Sequence, residues 1–138
     1  MSDLIETNLV SKYFLILALI NTIAAICFTL PILLPTSGLP LIIGAFPGTW
    51  LIIGYFVFLI VGVIGMLGWS IVYSSMPSMF DKHQTSKRLS IIQIVFSELA
   101  IYGVASTISF IGWQGGQALR QGLSIASVGF LIEPYVLP

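Results

Sequence analysis

The longest uncharged stretch of this chain constrains its fold more than any other feature. The 68 residues between Lys12 and Asp81 contain no Asp, Glu, Lys or Arg. Over the whole chain 7% of residues are charged and 57% are hydrophobic, whereas a soluble domain carries about 25% charged residues. Water would not keep such a chain dispersed, but a bilayer would. The sequence therefore predicts an all-α integral membrane protein built of spanning helices.

The length of the chain limits the number of spans. A helix needs about 20 apolar residues to cross a hydrocarbon core of roughly 30 Å, so 138 residues form one transmembrane domain of three to four helices, with four favoured. Residues 118–137 reach a spanning length only if Arg120 lies near an interface, and a re-entrant or surface-lying tail is the rival interpretation. The predicted spans are residues 13–34, 49–73, 89–113 and 118–137.

Three segments between the apolar runs read as loops. Residues 35–48 hold three Pro and three Gly, which break a regular helix, so we predict a loop on the membrane surface with a short half-inserted turn at Leu41–Phe46. Residues 74–88 form a polar loop, and residues 114–122 a flexible turn. Trp50 at one end of the second run, with Trp69 and Tyr73 at the other, is typical of aromatic belts at the two interfaces.

Basic residues predict the orientation. Lys82, Lys87 and Arg88 place the 74–88 loop in the cytoplasm, because short cytoplasmic loops are enriched in Lys and Arg. The N-terminus with Lys12 then also lies inside, the 35–48 loop lies outside, and Arg120 is the exception. Acidic residues precede the first apolar run, unlike a secretory signal, so we expect that run to remain as a helix. The expected location is a prokaryotic plasma membrane.

Glu98 is the most informative single residue. It lies about ten residues into the third apolar run, where a carboxylate costs roughly 2.5–3.5 kcal/mol on insertion scales. Tyr102, Ser106 and Ser109 continue a small, polar stripe from it along the same helix, and Asn21 is a second polar group inside an apolar run. One interpretation is a proton-relay or ion-binding carboxylate. The preferred one is a hydrogen bond to a neighbouring helix or a partner subunit.

Small residues predict where helices approach each other. Gly62, Gly65 and Gly68 open one side of the second run, although their three-residue spacing differs from the tighter GxxxG form. Cys27 lies inside the first run and is expected to be buried by packing. Arg120 and Glu133 flank the last run, where we expect both to reach the interface rather than to pair.

The remaining residues offer little chemistry. Met76, Met79 and His83 are ligand types that copper accepts, but an interfacial loop with Met as apolar filler is the preferred interpretation. A single His cannot supply a bis-His haem site or a catalytic metal centre, and no nucleotide-binding loop or catalytic triad is evident. We therefore predict no cofactor, no nucleic-acid partner and no enzymatic activity of the chain alone.

Two functions follow as hypotheses. The first is a small accessory subunit of a larger membrane complex, of the respiratory oxidase or membrane-bound monooxygenase type, with the lipid bilayer and larger subunits as partners. The second is a small oligomeric transporter or channel component in which Glu98, Asn21 and the 35–48 segment line a path. A membrane assembly factor is a weaker third idea.

Overall fold

The computed structural model describes residues 2–44, 46–80 and 86–136, and this part of the chain is helical with no strand. A 3-10 turn at Pro35–Ser37 precedes the short helix at Leu39–Ile43. A π-helix at Phe58–Gly65 joins the helices at Thr49–Val57 and Met66–Phe80 without a break. The α-helices are α1 (Ser2–Leu33), α2 (Leu39–Ile43), α3 (Thr49–Val57), α4 (Met66–Phe80), α5 (Lys87–Arg120) and α6 (Ile125–Val136).

In the part of the chain that the structure describes, three helical segments are long and apolar enough to cross a membrane. They are Leu9–Leu33, Thr49–Met76 and Arg88–Arg120, with 25, 28 and 33 residues. Each exceeds the roughly 20 residues that a hydrocarbon core requires, so the three long apolar helices predicted from the sequence are present.

Two predicted loops are partly helical. The polar loop predicted at 74–88 is helical at both ends, because α4 continues to Phe80 and α5 begins at Lys87. The flexible turn predicted at 114–122 is also wrong over most of its length, since α5 continues to Arg120. The chain turns at residues 121–122 instead, where Gly122 has a φ of 86°. The prediction ended each helix where polar residues begin. Ser and Gln are nevertheless tolerated in a helix whose backbone groups are already hydrogen-bonded.

The fourth span is not confirmed. Residues up to Arg120 end α5, so the predicted helix at 118–137 is replaced by the 12 residues of α6. Twelve residues cover about 18 Å at 1.5 Å each, which is less than a hydrocarbon core. Within α6, Val128 is buried and the ring of Tyr135 meets Phe110 of α5 edge-on, with ring centroids 5.7 Å apart.

The chain divides into two compact units, of which the first joins the residues up to Ala24 with Leu59–Ile101. Phe14 stacks on Tyr73, with ring centroids 5.3 Å apart, and the Tyr73 hydroxyl donates to Gln93 Oε1 at 2.6 Å. Ser11 and Ser70 each donate to the other's backbone carbonyl, at 2.9 and 3.0 Å. Tyr73 is therefore a buried packing residue, and its predicted place in an aromatic belt stays a prediction.

The second unit joins Ala25–Phe58 with the residues from Tyr102 onward. The predicted turn in the 35–48 segment is a short helix, α2, whose Ile42 is buried. A Cβ at Gly115 would meet the Pro47 ring, and one at Gly116 would meet Ile42. The 35–48 segment therefore packs directly on the last turns of α5. Gly115 and Gly116, which had suggested a turn, allow this close approach because they carry no side chain.

The prediction that Cys27 is buried by packing is wrong, because its side chain is exposed. Phe14, Ala18, Asn21 and Ala25 are the buried residues of this part of α1, and their spacing of three and four residues defines one helix face. Cys27 follows Ala25 by two positions, a rotation of about 200°, so it points away from that face.

Candidate functional site

Asn21 is the centre of a polar group in the first unit. Its side chain is fully buried, on the inward face of α1. Its Nδ2 atom donates to the backbone carbonyl of Gly62 at 2.9 Å and to Glu98 Oε1 at 3.2 Å. One amide nitrogen therefore ties α1 to both the π-helix and α5.

The acceptor Gly62 lies within the π-helix. Changing from i→i+4 to i→i+5 pairing and back disturbs the regular backbone hydrogen-bond ladder, and π segments occur frequently at functional sites. Buried carbonyl groups need a donor, and the Asn21 amide supplies one from another helix. No sequence pattern identified this segment, since FLIVGVIG is equally apolar in either helical form.

Glu98 has two oxygens in different environments. Oε1 accepts from the Asn21 amide, while Oε2 is buried and has no hydrogen-bond partner among the described residues. The two polar residues that the sequence marked in separate apolar runs thus lie side by side. The group can hold helices together and can bind a proton, but it contains no nucleophile with an adjacent base.

The other residues of the predicted polar stripe have different surroundings. Tyr102 meets Phe58 edge-on, with ring centroids 5.3 Å apart. Ser109 lies against Gly54, and its hydroxyl is 3.5 Å from the Leu51 carbonyl oxygen, a distance at which a hydrogen bond is weak. Ser106 is exposed on α5. Ser109 therefore lies on a packing face, and Ser106 faces outward.

The glycines predicted to pack helices behave differently from one another. Gly62 is buried and accepts from Asn21. A Cβ at Gly65 would meet only atoms of its own helix, and one at Gly68 would meet nothing within 4 Å. That Gly65 and Gly68 pack against a helix stays a prediction, and the helix would belong to another chain.

Sequence reasoning missed the glycines that do pack helices within this chain. A Cβ at Gly54 would overlap the Ala105 carbonyl oxygen and Ser109, and one at Gly112 would overlap the backbone of Trp50 and Leu51. In α5, the spacing of Gly112 with Gly115 and Gly116 was the available signal, but their glutamine neighbours made the stretch resemble a loop.

The other candidate groups remain apart. Met76 and Met79 are exposed, and His83 lies outside the described residues, so the copper hypothesis gains no geometry. Within residues 2–44, 46–80 and 86–136, no three His, Cys, Asp or Glu side chains form a group that could hold a metal ion. Arg120 is exposed, with its guanidinium beside Gly38, and Glu133 is exposed on α6.

Comparison of the chain with protein-family models, with curated proteins and with solved structures gave no significant match.

Proposed function

We propose that the chain is a small accessory subunit of a larger integral membrane complex, of the respiratory oxidase or membrane-bound monooxygenase type. It inserts in a prokaryotic plasma membrane through its three long apolar helices, with the N-terminus and the 74–88 loop in the cytoplasm. Its contribution is to pack against larger subunits, and it carries no catalytic centre of its own.

The observation that supports this proposal most is the outward position of small residues on two long helices. A Cβ at Gly68 in α4 or at Gly103 in α5 would meet no described neighbour within 4 Å, and Ser106 beside Gly103 is exposed. A small residue that faces lipid brings no packing contact, whereas a partner helix can approach closely where residues are small. Both positions therefore suit contacts with another protein.

The buried polar groups also favour a structural role. The Asn21 amide donates to the Gly62 carbonyl and to Glu98 Oε1 inside the first unit. Interhelical hydrogen bonds of this kind hold helices in register in lipid, where they contribute about 0.6–2 kcal/mol each.

One observation favours the alternative, an oligomeric transporter or channel component. The buried, unpartnered Oε2 of Glu98 is the type of intramembrane group that marks ion and proton pathways. In that case Glu98 faces a wet cavity in a symmetric homo-oligomer.

Mild detergent extraction of the tagged chain, followed by identification of co-purifying chains, tests the proposal. We expect larger membrane subunits in fixed proportion. Gly68→Leu and Gly103→Leu should each lower their recovery about 5- to 150-fold, because overpacking costs about 1–3 kcal/mol and 1.4 kcal/mol is a factor of ten.

Val72→Leu and Val104→Leu are matched controls, since both valines are exposed beside apolar neighbours and the change adds little bulk. These variants should leave recovery unchanged. A chain that purifies alone as a monomer overturns the proposal, and a symmetric homo-oligomer supports the alternative.

A further inference from the structure

Among the described residues, a hydrogen bond reaches one of the two carboxyl oxygens of Glu98 and not the other. Oε1 accepts from Asn21 Nδ2 at 3.2 Å, and Oε2 is buried with no partner among the described residues. An ionised carboxylate carries charge on both oxygens and needs donors for both. From this geometry we infer that Glu98 is an intramembrane proton-binding site, in which the bound proton resides on Oε2 and Asn21 positions the group through Oε1.

The described helices that supply Asn21, Gly62 and Glu98 hold no basic side chain close to these three residues in sequence. Along α1 the nearest base to Asn21 is Lys12, nine residues away, and along α5 the nearest base to Glu98 is Arg88, ten residues away. At 1.5 Å per residue these are separations of about 14 and 15 Å. The segment Thr49–Met76, which supplies Gly62, contains no charged residue at all.

The cost of burial then decides between the two forms of the carboxyl group. The Glu98 side chain is half-buried and its Oε2 atom is buried. An ion without a counter-charge in such a place costs far more than a neutral polar group with one unmade hydrogen bond, which favours the protonated form. The neutral acid also keeps Oε1 as an acceptor for Asn21, so the observed contact is retained.

A proton fits this site better than a metal ion does. Hard cations take about six oxygen ligands. Glu98 Oε1 and the Gly62 carbonyl both accept from the same Asn21 amide nitrogen, so these two oxygens already have a donor. A proton requires only the single free oxygen.

Infrared difference spectroscopy of the full chain in lipid at neutral pH tests this assignment. The wild type should show the C=O band of a protonated carboxyl group, shifted to lower frequency in deuterium oxide, and Glu98→Gln should lack it. Glu133→Gln is the control, because Glu133 is exposed and its removal should leave the band in place. Carboxylate bands alone from Glu98 would overturn the inference.

A second measurement does not depend on how Glu98→Gln folds. The chain has three glutamates, Glu6, Glu98 and Glu133, so a variant with Glu6→Gln and Glu133→Gln retains Glu98 alone. With ¹³C-labelled glutamate, the protonated band of that variant should shift, and a shift confined to carboxylate bands contradicts the proposal. Because the spectrum needs no partner chain, it can fail or succeed independently of the co-purification experiment.

Discussion

Replacing Gly112 by alanine should destabilise the second unit far more than a methyl group normally would. A Cβ at this position overlaps the backbone of the neighbouring segment, with the Trp50 carbonyl carbon at 2.8 Å and Leu51 Cα at 3.0 Å. Backbone atoms cannot rotate away as a side chain does. The α3 segment and α5 must therefore separate, which weakens the packing around them.

Gly103 of the same helix provides the matched control. Both substitutions replace glycine by alanine inside α5 and gain about 1 kcal/mol of helix propensity. A Cβ at Gly103 meets nothing within 4 Å, so Gly103→Ala carries no steric cost, whereas Gly112→Ala pays an overpacking cost of about 1–3 kcal/mol. Because the obstacle is backbone, we expect a difference of about 2–3 kcal/mol, which is roughly 30- to 150-fold in the unfolding equilibrium constant.

Reversible unfolding in mixed micelles measures this difference. Trp50 and Trp113 adjoin the affected contact, so tryptophan fluorescence reports on it directly, and circular dichroism follows the helices. Equal free energies of unfolding for Gly112→Ala and Gly103→Ala would refute the steric reasoning.

Two further predictions concern the polar group and the topology. Asn21→Ala removes the interhelical hydrogen bonds to Gly62 and Glu98 and should cost about 1–3 kcal/mol in the same unfolding assay. Thr22→Ala, whose hydroxyl donates to the Ala18 carbonyl of its own helix, should cost much less, and equal losses would deny Asn21 its interhelical role. In a Cys27→Ala background, a membrane-impermeant maleimide should label Thr36→Cys in intact cells but Ser78→Cys only after permeabilisation, and the reverse pattern would invert the proposed orientation.

The positions of the long helices follow from the sequence, but their ends do not. Side-chain apolarity and run length are local properties, so three segments long and apolar enough to cross a membrane can be predicted from hydropathy alone. Helix ends are different, because Ser74, Ser75 and Gln117 are compatible with either a helix or a loop. The predicted fourth span is not confirmed for the same reason, since residues 118–120 continue α5 and leave only 12 residues for α6.

The candidate site was partly visible in the sequence. Asn21 and Glu98 stand out because each is polar inside an apolar run, and burying such a group requires a partner. Their partnership depends on how α1 and α5 are rotated about their axes. The π-helix at Phe58–Gly65 gave no signal, since its residues are as apolar as those of the α-helices on either side.

The sequence by itself determined the all-helical class and the three apolar segments long enough to cross a membrane, because side-chain polarity and run length are local properties. Tertiary structure alone decided which glycines receive a neighbouring backbone, where the chain turns after α5 and which carbonyl and carboxyl the Asn21 amide joins. Those outcomes depend on close packing between residues far apart in the chain, and only the folded arrangement brings such residues within a few ångströms of each other.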